Sequence, residues 1–460
     1  QVVEVMTEQR QVMRDLLQRL GDYGVTLLDA RALQPDWRQA LRSYFYEEVY
    51  PVLTPLAVDH ARPFPFISNL SMNLAVCLRR DGDDHDQYEF VRIKIPQTVP
   101  RLINMDMVLR QYGSGDSVGD TFVWIEDAIS QNLDLLFPGM KVVEQSPFRV
   151  TRNADIDFEQ EEEESPDLDL SEIIEESLRE RRFGSVIRLA VPEGTSPLIL
   201  DPLIAQLEID PERDLYCVNG ALGGSSLMEL TSVDKPELKY VPHIPKLVVS
   251  PEENIFDAIR RRDFLVHVPY DSFAPVESFF STAARDPDVL AIKTTLYRVG
   301  RNSPIVQSLV EAREHDKQVA VLVELKARFD EENNLEWARM LEEKGVHVTY
   351  GVEELPVKTH AKIALVVRRE ETGVTRYVHL GTGNYNAVTA RLYTDLGLFT
   401  CNREIADDAS HLFNRLTGYA PATTYKRLLV APEFLHPTLV SLIDNEIAAA
   451  EAGKDARLIL

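Results

Sequence analysis

The chain has 460 residues, and 49 Lys and Arg against 74 Asp and Glu leave a formal net charge of −25. That balance argues against a general nucleic-acid coat or a binder of anionic membranes, because both need net attraction to phosphate over a wide surface; a local basic pocket stays allowed. The length suits about three domains, and 44% hydrophobic with 27% charged residues excludes global disorder and fibrous classes.

Cys77, Cys217 and Cys401 lie far apart with no CxxC spacing, so neither a disulfide framework nor a zinc knot is indicated, and a reducing cytoplasm fits. No apolar run approaches the ~20 residues of a membrane span, and the opening Gln1-Val2-Val3-Glu4 is no signal peptide. A start without Met and an end on Leu458-Ile459-Leu460 are expected of a chain cut from something longer.

Apolar residues Val12, Met13, Leu16, Leu17 and Leu20 follow helical spacing, and Asp36 before Trp37 is the expected N-cap of a second helix that Pro51 ends. The rhythm then changes to alternation. Leu74, Val76 and Leu78 alternate with Asn73, Ala75 and Cys77; Val91, Ile93 and Ile95 alternate again, as do Phe148, Val150, Ala154 and Ile156. This predicts an α+β region with antiparallel strands. The acidic run between Asp155 and Glu180 reads as a solvated loop leading into a charged helix, since consecutive carboxylates repel and point apart. From about residue 245, short apolar runs at 264–266, 289–292 and 319–323 are separated by helical stretches, which is βαβ grammar. Three more strands are expected at 362–367, 376–380 and 396–400, giving a mixed sheet flanked by helices whose ligands gather beyond the strand ends.

Thr359-His360-Ala361-Lys362 opens one of these strands, and alternation places His360 and Lys362 on one face. A nucleophile and a phosphate-binding cation would then share a pocket. Histidine is neutral enough at pH 7 to attack phosphorus and basic enough to leave afterwards, while cationic groups stabilise phosphoryl charge. The bland alternative is a strand-edge histidine beside a solvated lysine. Gly381-Thr382-Gly383-Asn384-Tyr385-Asn386 follows a strand and precedes a helical stretch, so it is either a phosphate-binding nest at a helix N-terminus or a tight turn. The second glycine-rich segment, 220–226, reads only as a turn. His379 is a hydrogen-bonded core histidine or a secondary proton donor. Arg298 and Arg328 each close a strand-like run and would emerge at one sheet edge as a phosphate clamp if those strands are parallel; otherwise they form salt bridges to acids such as Asp330, Glu331 and Glu332. Those acids are better placed to favour the N-terminus of the following helix than to ligate Mg²⁺ directly.

Taken together, segments 295–299, 326–333, 358–362, 379–386 and 390–395 resemble, in order and spacing, the catalytic-domain signatures of bacterial polyphosphate kinases, which make long-chain inorganic polyphosphate from ATP. Segments 51–65, 148–157 and 179–189 resemble that family's middle domain, so the likeness covers nearly the whole chain. It implies an α/β, multidomain protein: residues 1–32 as the remnant of an N-terminal helical domain, 33–244 as an α+β middle domain, 245–427 as a phospholipase D-like catalytic domain with a mixed sheet flanked by helices, and 428–460 as the start of a second such domain.

The resemblance also assigns roles. His360 becomes the phosphohistidine, and His379 a second catalytic histidine. Lys358 and Lys362 are the motif lysines, and Tyr393 meets the nucleotide. Arg298 and Arg328 belong to the Mg²⁺-phosphate site, as phosphate ligands beside the metal because a guanidinium has no lone pair to offer it. ATP is the substrate, ADP and polyphosphate are partners, and Mg²⁺ is required. A homodimer or homotetramer in the cytoplasm, with or without peripheral attachment to a membrane, completes the expectation. The match to the longer phospholipase D signature is incomplete, because no Asp follows Lys362 at the family distance. An adenine-contacting asparagine of the N-terminal domain and the nucleotide-site residues of the last domain have no counterpart here, so these residues are expected to make no polyphosphate alone. Two rivals are a phospholipase D-like phosphodiesterase or nuclease with water as acceptor, and a non-catalytic fragment serving assembly.

Overall fold

A computed structural model of the chain describes all residues except 59–63, 81–87, 114, 116, 154–170, 173, 176–183, 301, 328–329, 352–357, 419, 421–423 and 460. Two compact units divide it, one built from Gln1–Ile156 with Arg179–Tyr240, the other from Asp157–Leu178 with Val241–Leu460. Most of the acidic run, together with Ala154 and Ile156, lies outside the described residues.

In the first unit the order is α1 (Val2–Asp22), β1 (Val25–Leu28), α2 (Pro35–Tyr44), β2 (Pro55–Val58), β3 (Met72–Arg80), β4 (Glu89–Lys94), β5 (Leu102–Asn104), α3 (Met105–Tyr112), β6 (Asp120–Trp124), α4 (Ile125–Ser130), α5 (Leu133–Leu136), β7 (Met140–Arg152), β8 (Val186–Pro192), α6 (Pro197–Leu207) and β9 (Leu215–Val218). Six strands form one sheet in the order β2-β4-β3-β7-β8-β9, and three form another, β1-β6-β5. The expected antiparallel pairing holds except at β8–β9 and β1–β6, which are parallel. Alternation along β3 sends Leu74, Val76 and Leu78 into one core with α2 and α3, and Ala75 and Cys77 into a second core with α6. Both faces are covered, so the strand has no polar face.

Two expectations are corrected here. Gln34, not Asp36, stands at the N-cap of α2: Pro35 takes the first helical position, where its missing N–H costs nothing, and Asp36 falls in the first turn, where its charge suits the helix dipole. In α1 the face turned inward is Met6, Arg10, Met13, Leu17 and Leu20, whereas Val12 and Leu16 remain exposed. That stripe contains an arginine, which hydropathy does not mark.

The second unit runs α7 (Ile255–Arg261), β10 (Phe264–Val268), α8 (Ala274–Arg285), β11 (Val289–Leu296), α9 (Pro304–Glu314), β12 (Gln318–Val323), α10 (Glu331–Glu343), β13 (His347–Tyr350), β14 (Lys362–Glu370), β15 (Gly373–Gly381), β16 (Asp395–Thr400), α11 (Arg403–Thr417) and α12 (Leu435–Glu451). Its seven strands form one mixed sheet in the order β10-β16-β15-β14-β11-β12-β13. From β11 to β13 the strands are parallel and joined by helical crossovers; the other neighbours are antiparallel. β10 therefore pairs with the late strand β16 instead of opening the parallel half. β13 is a further strand that sequence patterning missed, because an edge strand of only four residues carries little apolar signal.

Phe256, Phe279, Phe280, Ile292, Val321, Ala364, Tyr377 and Phe399 fill the core on one face of this sheet. Ile363, Leu365 and Val378 pack with Ala409 and Phe413 of α11 on the other. Helices on both faces explain why these strands read as continuous apolar runs, and they leave the strand ends as the place for polar chemistry.

Candidate active site

One edge of the mixed sheet gathers the ends of five strands. Parallel β11 and β12 finish side by side at Leu296 and Val323. β14 runs against β11 and so begins there, at Lys362, which pairs with Gly381 at the end of β15; Gly381 in turn pairs with Gly397 near the start of β16. The topology thus brings Tyr297, Arg298, Glu324, residues 359–362, the glycine turn and Asp395 to the same edge.

His360 lies in the segment just before β14, not within the strand, so alternation alone does not orient it. Side-chain hydrogen bonds do. The Glu324 carboxylate accepts the Thr359 N–H at 2.5 Å and the Lys326 N–H at 2.9 Å. On the far side, the Thr295 hydroxyl donates to the Ala361 carbonyl at 2.6 Å and accepts the Ile363 N–H at 3.2 Å. The backbone is therefore held immediately before and immediately after His360. Asn334, itself buried, donates to the Glu324 carbonyl at 2.9 Å and to that of Tyr297, tying the ends of β12 and β11 together. The imidazole meets the Tyr297 ring edge-on at 4.9 Å between centroids and is otherwise open to solvent. Partial burial, then the charges of Lys362 and Arg298, hold His360 below the ordinary 6.5, so its ring is neutral at pH 7.

Lys362 is 5% exposed, and its ammonium donates to the His360 carbonyl at 2.6 Å over the Tyr297 ring, 5.0 Å from its centroid. Burial is the main reason that its proton affinity falls to about 8, with Asp395 opposing the shift and Arg298 reinforcing it. Glu324 is 3% exposed, and burial pushes its carboxyl up against the pull of its two N–H donors and of Lys326 and Lys358. Neither Glu324, Asn334 nor Thr295 was singled out from sequence as a site residue. The available signal was an acidic residue closing the apolar run 319–323.

The expected partners fall into three groups. Arg298 joins the cluster, forming an ion pair with Asp330 at 3.0 Å, while Lys358 is exposed within the field of Glu324. Arg328 lies outside the described residues. Tyr393 stands apart, 64% exposed, with its backbone N–H bonded to Thr389.

His379 is in the core instead of on the edge. It is 3% exposed, its Nδ1 is 2.9 Å from the Tyr385 hydroxyl, and its ring packs on Phe399 at 4.6 Å. Burial drives its pKa down to about 3, so it is a neutral imidazole throughout the physiological range. Its Nε2 has no hydrogen-bond partner among the described residues and borders a cavity of about 30 Å³, room for one water, lined also by Gly381, Gly383, Asp395 and Gly397. A Cβ at Gly397 would sit 2.7 Å from that nitrogen. Gly397→Ala is therefore expected to cost about 1–3 kcal/mol by overpacking, read as a lower denaturation midpoint with unchanged slope.

The glycine turn takes the second of its two readings, a tight turn. A three-residue 3-10 turn, Thr389–Arg391, follows it in place of an α-helix, and the Asn386 side chain already accepts the Val388 and Thr389 N–H groups. A helix N-terminal phosphate nest is thus absent there. What the glycines provide is clearance: a Cβ at Gly383 would meet Asp395 Cγ at 2.7 Å.

Among the described residues no three His, Cys, Asp or Glu side chains group to hold a metal ion. A magnesium ion carried in on nucleotide phosphates needs only one or two protein carboxylates, and Asp330 and Asp395 stand near Arg298 and Lys362. Those two carboxylates fit a metal held mainly by a bound ligand better than a resident metal centre.

Two family models divide the chain between them: the polyphosphate kinase middle domain matches residues 36–230, and polyphosphate kinase C-terminal domain 1 matches 254–422. The class is that of multidomain α/β proteins with a sheet-edge histidine. The chain belongs to the polyphosphate kinase family. Polyphosphate kinase 1 of Chlorobaculum tepidum is 49% identical over 449 residues, 97% of this chain and 63% of that protein. The Synechocystis enzyme named polyphosphate kinase is 46% identical over 473 residues, 98% of this chain and 64% of that protein. The crystal structure of polyphosphate kinase from Porphyromonas gingivalis superposes with a TM-score of 0.75 at 28% identity, over 98% of this chain and 65% of that one. The chain thus spans just under two thirds of these relatives. No helix among the described residues is long and apolar enough to cross a membrane.

Proposed function

We propose that the full-length protein to which this chain contributes carries out reversible transfer of the ATP γ-phosphate to inorganic polyphosphate through a phosphohistidine at His360. The observation that carries this reading is a neutral, solvent-accessible imidazole whose backbone is clamped on both sides beside a buried ammonium. An imidazole nitrogen attacks the γ-phosphorus and the bond to the ADP oxygen breaks; the phosphoryl group then passes to a terminal oxygen of the polyphosphate chain, freeing the histidine. Lys362, Arg298, Arg328 and Lys358 neutralise the oxygens of the transferring group, Arg298 exchanging Asp330 for phosphate. Tyr393 offers an exposed ring to the nucleotide, and His379 acts through the packing of the strand behind the edge. Asp330 and Asp395 would help to hold a Mg²⁺ ion brought by ATP, and that ion would add to the neutralisation of phosphate charge. A homodimer or homotetramer in the cytoplasm belongs to the same reading and is measured by sedimentation.

Incubation of the full-length protein with γ-labelled ATP should leave label on His360 that acid removes and base does not, as for a phosphoramidate. Label absent from His360, or ATP phosphate released only to water, would exclude the reading. The pH–rate profile gives a second test. The rate should rise as His360 loses its proton below pH 6.5 and fall again as Lys362 loses its charge near pH 8. Lys362→Arg should move the alkaline limb upward, since a guanidinium stays protonated.

A further inference from the structure

Two buried polar atoms behind the sheet edge face the same small cavity. His379 is 3% exposed, and its Nδ1 is engaged by the Tyr385 hydroxyl at 2.9 Å, which leaves Nε2 buried without a hydrogen-bond partner among the described residues. Tyr385 is itself buried and packs edge-on against Phe280 at 5.3 Å, so it is not free to turn away. Asn384, in the glycine turn, has its Oδ1 buried and equally unpartnered. Both residues line the cavity of about 30 Å³. Two unpaired polar atoms in one pocket are costly unless something bonds to both.

Two glycines keep that space open. Gly381 and Gly397 pair with each other across β15 and β16. A Cβ on Gly397 would stand 2.7 Å from His379 Nε2, and one on Gly381 would stand 3.2 Å from the adjoining Cε1. Neither glycine has φ in the left-handed region, so each backbone would accept a side chain and the lack of one serves space alone. The chain therefore leaves room at one particular nitrogen.

The lining selects the occupant. Val266, Val268, Phe273 and Val276 form an apolar wall, against which an ion would lose hydration for few replacements. The volume holds one water and no larger molecule. His379 is neutral at pH 7, so with Nδ1 accepting the Tyr385 hydroxyl its Nε2 carries the proton and donates. The Gly383 carbonyl oxygen lies 3.5 Å from where a Gly381 Cβ would stand, beside the same space. A water that accepts from Nε2 and donates to Asn384 Oδ1 and to the Gly383 carbonyl satisfies all three groups.

We propose that one buried water bridges His379 Nε2 and Asn384 Oδ1, and that through it His379 is a positioning residue that pins the glycine turn to the sheet behind Lys362. The start of the turn is tied to β16 by Thr382, whose hydroxyl donates to Asp395 at 2.8 Å and accepts the Leu396 N–H at 3.0 Å. Its far end is closed by the Asn386 side chain. The water holds the middle, at Gly383 and Asn384. Asp395 acts on the charge of Lys362, so the placement of the turn reaches the ammonium beside His360. The positioning role rests on the phosphotransfer reading; the water site does not.

Diffraction from crystals of the full-length protein, at a resolution that locates ordered waters, should show one water within hydrogen-bond distance of His379 Nε2 and Asn384 Oδ1. A cavity without one, or either atom turned onto a protein group, would overturn the proposal. Kinetics test the positioning in the same protein. Asn384→Ala should lower kcat ~10-fold, the equivalent of one lost hydrogen bond, with KM for ATP little changed. Asn384→Asp, which keeps an oxygen acceptor, should recover part of that. Gly397→Ala fills the water's place, so adding Asn384→Ala to it should cost nothing further. Losses that multiply in the double variant, or normal kcat in Asn384→Ala, would remove His379 and its water from any part in positioning. Failure of the phosphotransfer reading looks different, since the unmodified protein would then transfer no phosphate whether or not the water is present.

Discussion

Replacing His360 by alanine in the full-length protein should abolish labelling from γ-labelled ATP and all transfer to polyphosphate, while the protein stays folded and still binds nucleotide. The expected loss is complete because no other imidazole among the described residues at this edge could accept the phosphoryl group: His379 is buried and paired with Tyr385. The side chain of His360 is exposed and meets the Tyr297 ring edge-on, so its removal leaves no buried cavity. Circular dichroism and ATP binding, measured beside the labelling, separate loss of chemistry from loss of fold. Label retained in His360→Ala would remove the nucleophile from this position altogether.

Glu324→Ala should have the next largest effect, although Glu324 touches no substrate. It would leave the half-buried Thr359 and Lys326 N–H groups without their acceptor and free the segment that carries His360. Each unsatisfied donor costs about 1–3 kcal/mol, and a displacement of about 1 Å at a reacting group can cost on the order of 100-fold in rate. We expect kcat to fall by about that factor with a much smaller change in KM for ATP. Glu324→Gln should recover part of it, because an amide oxygen accepts one of the two N–H groups while its NH2 faces the other. A purely structural role would instead lower the denaturation midpoint and leave kcat of the folded fraction unchanged. Equal kcat in all three proteins would release Glu324 from any part in positioning.

The strands that build the edge were largely legible in the sequence: 289–292, 319–323, 362–367, 376–380 and 396–400 all fall within strands of one mixed sheet. Their apolar runs are long because helices cover both faces, and that signal is local. The pairing of β10 with β16 was not legible, since strand partners are chosen by the whole topology and leave no mark on either segment. The same holds for α1, where Arg10 joins Met13, Leu17 and Leu20 on the inward face while Val12 and Leu16 stay exposed.

By itself the sequence determined the residue types gathered near His360, their order, and a likeness to the polyphosphate kinases, because motifs and periodicities are properties of neighbouring residues. Only the tertiary structure decided what orients them. Glu324 reaches Thr359 across 35 positions, Thr295 reaches Ala361 across 66, and Asn334 joins the ends of β11 and β12. It also decided that His379 is a neutral core residue, and that Arg10, Arg149 and Arg188, far apart in sequence, come within each other's electrostatic reach without a carboxylate partner among the described residues. Hydrogen-bond partnership and burial depend on strand register and on what packs over a residue, and neither quantity exists until the chain has folded.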